Sequence, residues 1–283
     1  MRDPAGTILE SLSLSVFDCN VKAECQDPEV LRLLVANYGH LQGGLGAADL
    51  HYVVGRRKGS PAFIITRNGQ EQLTASDDGE FLFLFEKDLT IELQKLRGDL
   101  YFVHAAALEF AGRALMLVAE SGGGKSTTTW SVLHHGFRYL SDELAPLKLE
   151  TMEVYPYPHA ICLKKEPPGS YPLPQQTLYT SRTMHVPVEY LPSEASQGPI
   201  PLAAIFFLRY CPEALGPLTE RISTIQAGTR LFANALNSLA HPQDGLDAAI
   251  EIANSCPCFE LLTGDLRRTC EHVKATMEKL LLG

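Results

Sequence analysis

The chain has 283 residues, 45% of them hydrophobic and 20% charged, and a formal net charge of −9 at pH 7. That is the composition of a soluble globular protein with core enough for one or two domains. The acidic balance argues against a general nucleic-acid or anionic-membrane surface. No apolar run approaches membrane-spanning length, and no signal-like h-region follows Met1. The expectation is a cytoplasmic protein with no nucleic-acid and no membrane partner, its seven scattered cysteines kept as free thiols.

Short β-like runs open the chain, at Leu12 to Phe17, His51 to Val54, Ala62 to Thr66 and Phe81 to Phe85. Asn68-Gly69 marks a hairpin turn after Ile65. Helical spacing interrupts at Asp27 to Tyr38, through Val30, Leu31, Leu34 and Val35, and returns at Asp88 to Leu96. Residues 1–98 therefore read as a mainly β N-terminal module, a scaffold or recognition unit without a cluster of chemical residues.

The texture changes over residues 99–283, expected as a second, catalytic domain of α/β class. Leu100 to Phe110 and Ala114 to Val118 predict adjacent strands joined at Ala111-Gly112. A helix follows, ending at His135 with Gly136 as C-cap. Phe137 to Leu140 and Leu144 to Leu149 predict two more strands. Residues 167–201 hold eight prolines and little periodicity, which predicts a long ordered excursion or a lid over the acceptor, removable between Gly169 and Ser181 without loss of nucleotide binding. Leu202 to Leu208 reads as a buried strand and Cys258 to Leu262 as another, among helices at Thr229 to Leu239, Gly245 to Ala253 and Asp265 to Leu281.

Chemistry concentrates at residues 119–127, Ala-Glu-Ser-Gly-Gly-Gly-Lys-Ser-Thr, between the apolar run Met116 to Val118 and the predicted helix. Strand, glycine turn, lysine, hydroxyl and helix is the arrangement that cradles nucleotide phosphates. Backbone N–H groups of the turn and of the helix N-terminus face the anion. Glu120, Ser121, Gly122, Gly123, Gly124, Lys125, Ser126 and Thr127 are the expected nucleotide-binding residues. Lys125 would reach the β- and γ-phosphates of ATP and Ser126 would ligate Mg²⁺. Ala119 stands where the usual pattern opens with glycine.

Ser141-Asp142-Glu143 ends the next strand. Phosphoryl transfer needs one carboxylate to hold or orient magnesium and often another to take the acceptor's proton. Neighbours on an extended chain point to opposite faces, so these two acids can take different jobs. A solvated turn or a helix N-cap is the alternative for the same tripeptide. His104, inside the apolar run Tyr-Phe-Val-His-Ala-Ala-Ala, is a third candidate, though such a histidine is more often a hydrogen-bonded core residue. Lys164 and Lys165 read as surface lysines that could also screen phosphate charge.

Val103-His104, then Glu120-Ser121-Gly122-Gly123-Gly124-Lys125-Ser126, then Phe137-Arg138-Tyr139-Leu140-Ser141-Asp142-Glu143 resemble, in order and spacing, the catalytic domain of the HPr kinase/phosphorylase family. That family shows a His-Gly motif, a Gly-Asp-Ser-Gly-x-Gly-Lys-Ser loop and an Ala-Asp-Asp motif. The resemblance spans residues 100–165 and implies a phosphate-loop core of the kind shared with phosphoenolpyruvate carboxykinase. By position it implies Asp142 as general base, Glu143 as a magnesium ligand and His104 beside the reacting phosphate. Ala105, Glu120 and Glu143 depart from the family's glycine, aspartate and second aspartate, and Cys211 to Gly228 lacks its HPr-binding signature. The resemblance thus implies a divergent relative, of the sort found beside modified peptides such as lasso peptides, where some phosphorylate a serine of the precursor.

The expected activity is ATP- and Mg²⁺-dependent phosphoryl transfer to a hydroxyl, most naturally serine, of a peptide or small protein. A small-molecule kinase or carboxykinase-like enzyme, and a nucleotide-binding regulatory module without transfer chemistry, are the alternatives. A homo-oligomer is left open.

Overall fold

The computed structural model describes residues 10–44, 46–56, 59–120, 122–214 and 216–282. They form a mixed α/β protein with several sheets and helices, divided into two compact units. The first holds described residues up to Arg97 together with 162–166 and 173–190; the second holds 98–161, 167–172 and 191 onward. Two segments that the sequence suggests for a continuous second domain are thus part of the first unit.

The first unit opens with β1 (Glu10–Val16) and β2 (Cys19–Cys25), then α1 (Pro28–Tyr38), β3 (Leu50–Arg56), β4 (Phe63–Arg67), β5 (Gln70–Ala75) and α2 (Asp78–Leu96). The five strands lie in chain order, antiparallel except for the parallel pair β2 and β3. Alternation along β1 buries Leu12, Leu14 and Val16 and exposes Ser11, Ser13 and Ser15, which gives the sheet one apolar face. Asp27 caps α1 by accepting from the Glu29 N–H at 2.8 Å. Phe81 to Phe85, expected as a strand, is helical. Asp77 caps α2 through the Glu80 N–H at 2.8 Å, and Phe81, Leu82, Phe85, Leu89 and Leu93 bury one side at spacings of three and four. A five-residue window of alternating Phe and Leu hides that longer period.

The second unit begins with β6 (Leu100–Val103) and β7 (Ala106–Phe110), where one continuous strand was expected. The break at His104-Ala105 lets β6 pair with one neighbour and β7 with others. After β7 come β8 (Arg113–Val118), α3 (Lys125–Leu133), β9 (Arg138–Ser141), β10 (Ala145–Lys148) and β11 (Glu153–Val154). Ala111 and Gly112, both at positive φ, make the tight turn between β7 and β8.

The proline-rich excursion is ordered packing, the first of the two readings its sequence allows. Its β13 (Leu178–Tyr179) and β14 (Met184–Val186) form a small sheet with the preceding β12 (Ile161–Leu163), in the order β12-β14-β13. Within the first unit, the His185 ring shares a 2.7 Å hydrogen bond with the Asn37 side chain, and the Ser181 hydroxyl donates to Asp77 at 2.7 Å. Within the second unit, Tyr171 is clamped on α3. Its carbonyl accepts from the Trp130 indole at 2.9 Å and its hydroxyl meets His135 at 2.8 Å. Cutting Gly169 to Ser181 would remove the Ser181 and Tyr171 anchorages.

The chain closes with β15 (Ile200–Tyr210), β16 (Leu218–Arg221), α4 (Thr224–Ala233), α5 (Leu246–Ser255), β17 (Cys258–Thr263) and α6 (Leu266–Leu282). Helix α4 starts earlier than its apolar spacing suggests, because Ser223 and Gln226 form a reciprocal capping box. It stops at Asn234, after which Leu236 donates its N–H to the Phe102 carbonyl at 2.8 Å. The large sheet runs β6-β10-β11-β15-β8-β7-β9, with β17 beside β15 and β16 beside β17. Strand β8 is parallel to β15, β15 to β17, and β7 antiparallel to both β8 and β9. The carboxyl ends of β9, β8, β15 and β17 therefore gather at one edge, where ligands bind in open α/β sheets.

Candidate functional site

Strand β8 delivers Ala119 to Gly124 at that edge, and α3 leaves it. Gly122 and Gly124 sit at φ of +83° and +87°, values that L side chains rarely adopt. A Cβ on Gly123 would come 3.0 Å from the Glu120 carbonyl oxygen and 3.2 Å from the Ala119 side chain, so the backbone is closely approached here. The Gly123 N–H closes the turn on that same carbonyl at 2.9 Å. Gly124 caps α3 without a side-chain hydrogen bond, so the helix N-terminus is not closed by a side chain of its own. Glu120 and Gly122 are exposed, while Ser126 and Thr127 are half-buried on the first turn of α3. Ser121 lies outside the described residues.

Lys125 is buried and turned back onto the acids. Its ammonium donates to the Asp142 main-chain oxygen and lies 3.3 Å from a Glu143 carboxylate oxygen. His104 reaches that same Glu143 oxygen at 2.9 Å through Nε2, and its own N–H donates to the Asn234 carbonyl at 2.8 Å. The Ser141 hydroxyl accepts from the Leu144 N–H at 3.2 Å, which fixes the bend that presents the two acids. Loop lysine, acid pair and histidine, drawn from three stretches of sequence, thus meet at one point.

The two acids differ in state. Asp142 is fully buried, and among the described residues neither of its carboxylate oxygens has a well-formed hydrogen bond. Burial pushes its carboxyl above the usual range, against the opposing charge of Lys125; the nearby Ser126 hydroxyl also favours the ionised form without completing a good bond. Glu143 is half-buried. Burial alone would raise it, but the His104 hydrogen bond and the Lys125 charge outweigh that and hold it at about 2. His159, 2% exposed, adds its charge field to both acids. It was not legible as a site residue, being a single histidine in the segment Tyr155 to Ala160. Its position comes from the Tyr157 N–H bond to the Leu140 carbonyl at 2.9 Å and the Tyr139 hydroxyl bond to its own carbonyl at 3.0 Å.

Lys164 and Lys165 are exposed and belong to the first unit. A groove of about 590 Å³ in that unit, between α1 and residues 175–190, includes none of the candidate site residues. Among the described residues no helix is long and apolar enough to cross a membrane.

No family model matches this chain, and no curated protein matches it. Among solved structures, the Hpr(Ser) kinase/phosphatase from Coxiella burnetii is similar at 13% identity and a TM-score of 0.33, over 64% of this chain and 99% of that one. A likeness of that size carries no argument about activity. The functional reading rests on the loop and the acids.

Proposed function

We propose that the second unit is a phosphate-loop kinase core of the HPr kinase/phosphorylase kind, which transfers the γ-phosphoryl group of Mg·ATP to a hydroxyl of a peptide or small protein. The observation that carries this is the meeting of Lys125, Asp142, Glu143 and His104 beside a glycine turn that opens a helix. Nucleotide phosphates would lie against the turn and the α3 N-terminus, with Lys125 leaving Glu143 for the β- and γ-phosphates.

Magnesium fits the donors present. The Ser126 hydroxyl and the ionised Glu143 carboxylate are oxygen ligands of the kind it takes, and the unpartnered Asp142 oxygens leave an unmet demand for a cation or a donor. Bound there, the ion would offset charge developing on the phosphoryl oxygens. Burial gives Asp142 the raised pKa that a proton acceptor near neutral pH needs, whereas Glu143 stays anionic as a ligand must. Asp142 thus accepts the hydroxyl proton, and His104 holds Glu143 in place. A serine of a ribosomally made precursor peptide is the acceptor this reading favours.

The test is transfer of label from γ-labelled ATP to peptides in the presence of Mg²⁺. Lys125→Ala should abolish both Mg·ATP binding by calorimetry and label transfer, with the fold retained. Normal ATP affinity in that variant would sink the phosphate-loop assignment.

A further inference from the structure

A second charged cluster stands at the same sheet edge. Phe207 on β15 pairs with Val118 on β8 at one side and with Glu260 on β17 at the other. Residues in one row of parallel strands point to the same face, with strands about 4.8 Å apart. Val118 is the last residue of β8 before the glycine turn, so this row leads directly to it. Over the row, from α4, comes Arg230. Its guanidinium lies 5.5 Å from the Phe207 ring centre, and its Nη2 is 2.7 Å from Glu260. Arg209, two residues beyond Phe207 on the same face, reaches the other Glu260 oxygen at 3.0 Å.

One carboxylate therefore holds two guanidiniums, and Glu220, directly opposite Glu260 on β16, is a second acid on that face. Each guanidinium has five N–H donors. Among the described residues, neither finds an acceptor other than Glu260. Their side chains are 65% and 40% exposed, so the remaining donors are accessible. One turn further along α4, about 6 Å at 1.5 Å per residue, Asn234 accepts the N–H of His104, which in turn touches Glu143. Arg230 thus shares α4 with the residue that holds the main chain of His104.

We infer that Arg209 and Arg230 form a second anion site that takes a phosphate oxyanion of the reaction; this rests on the phosphate-loop reading for its source. Paired guanidiniums suit phosphate, whose several oxygens accept from both forks at once. Glu260 fixes the two forks in place and competes with the anion, so the site can release it. The phosphate could belong to the nucleotide tail or to the phosphorylated acceptor.

Calorimetry on the full chain separates these sources, with inorganic phosphate, O-phosphoserine, Mg·ADP and Mg·ATP as probes. Arg230→Gln should weaken phosphate binding about tenfold, the size of one lost charge-assisted bond. Glu260→Gln, which frees both guanidiniums, should tighten it. Weaker Mg·ATP with unchanged Mg·ADP assigns the site to the terminal phosphate of the nucleotide. Weaker O-phosphoserine with both nucleotides unchanged assigns it to the product. The inference falls if the Arg209→Gln, Arg230→Gln double variant binds all four probes as the wild type does. It falls equally if Arg230→Gln and Glu260→Gln lower the melting temperature alike and leave every affinity unchanged, because the cluster would then only fasten α4 to β17. The Lys125→Ala variant keeps the two ideas apart. Phosphate binding that survives there and is lost in the arginine variants supports this site even if the nucleotide reading fails, and the reverse pattern overturns it.

Discussion

Two aspartates, one in each unit, have opposite surroundings. Asp88 on α2 has both carboxylate oxygens within reach of the Arg67 guanidinium, and one accepts from the Tyr52 hydroxyl at 2.8 Å. Arg67 also lies 3.3 Å from Glu92. Asp142 is more deeply buried, yet among the described residues neither oxygen has a good donor. Buried polar groups are normally satisfied, and an exception calls for a reason. The charge of Asp88 is completed inside the chain and holds β3, β4 and α2 together. That of Asp142 is left open at the sheet edge that also carries the glycine turn.

The largest effect expected from this contrast is at Asp142. Asp142→Asn should keep ATP affinity within a few fold and reduce label transfer by about two to four powers of ten, as for a lost general base. The same change should make the empty protein more stable by about 1 kcal/mol, since it removes a charge buried without a proper partner. The sign follows from the raised pKa: its charged form is disfavoured in the folded state, so stability is lost as pH rises through the folded value. Urea melts and label transfer check both halves. A destabilised Asp142→Asn would show that the carboxylate is structural.

Asp88→Asn should do the reverse. Breaking the Arg67 cluster leaves a guanidinium short of its charged partner and should cost about 2 kcal/mol of stability. Mg·ATP affinity, measured below the melting transition, should not change. A loss of nucleotide binding at a well-folded temperature would remove the distinction between the two aspartates.

The glycine turn and the acid pair could be singled out because each is a local string, and His104 because it interrupts an apolar run. What joins them could not be. His104 meets Glu143 only because the ladder breaks at Ala105 and α4 ends at Asn234, both consequences of tertiary pairing. Arg209, Arg230 and Glu260 have no common motif, and it is the parallel register of β15 and β17 that unites them. Tyr171 was invisible among prolines, although its anchorage on Trp130 turns a suspected cover into a strap. In the first unit Phe81 to Phe85 looked like a strand because strand and helix periods cannot be separated over five apolar residues.

Glu143 gives the smallest and most pH-specific contrast. Its folded carboxyl is held at about 2 against an ordinary 4.5, with burial opposing the His104 bond and the Lys125 charge that lower it. A depressed carboxylate stabilises the fold fully above its unfolded value and loses that contribution as pH falls toward the folded one. Glu143→Gln should therefore be less stable than the wild type at pH 7. The difference should shrink between pH 4.5 and about 2 and vanish below, where both side chains are neutral. Partial exposure screens the pair, so the gap at pH 7 should be modest. Urea melts of both proteins at pH 7, 4 and 2.5 follow it. A gap that does not change with pH would mean that the carboxylate acts by packing, and that Lys125 and His104 are held by something other than its charge.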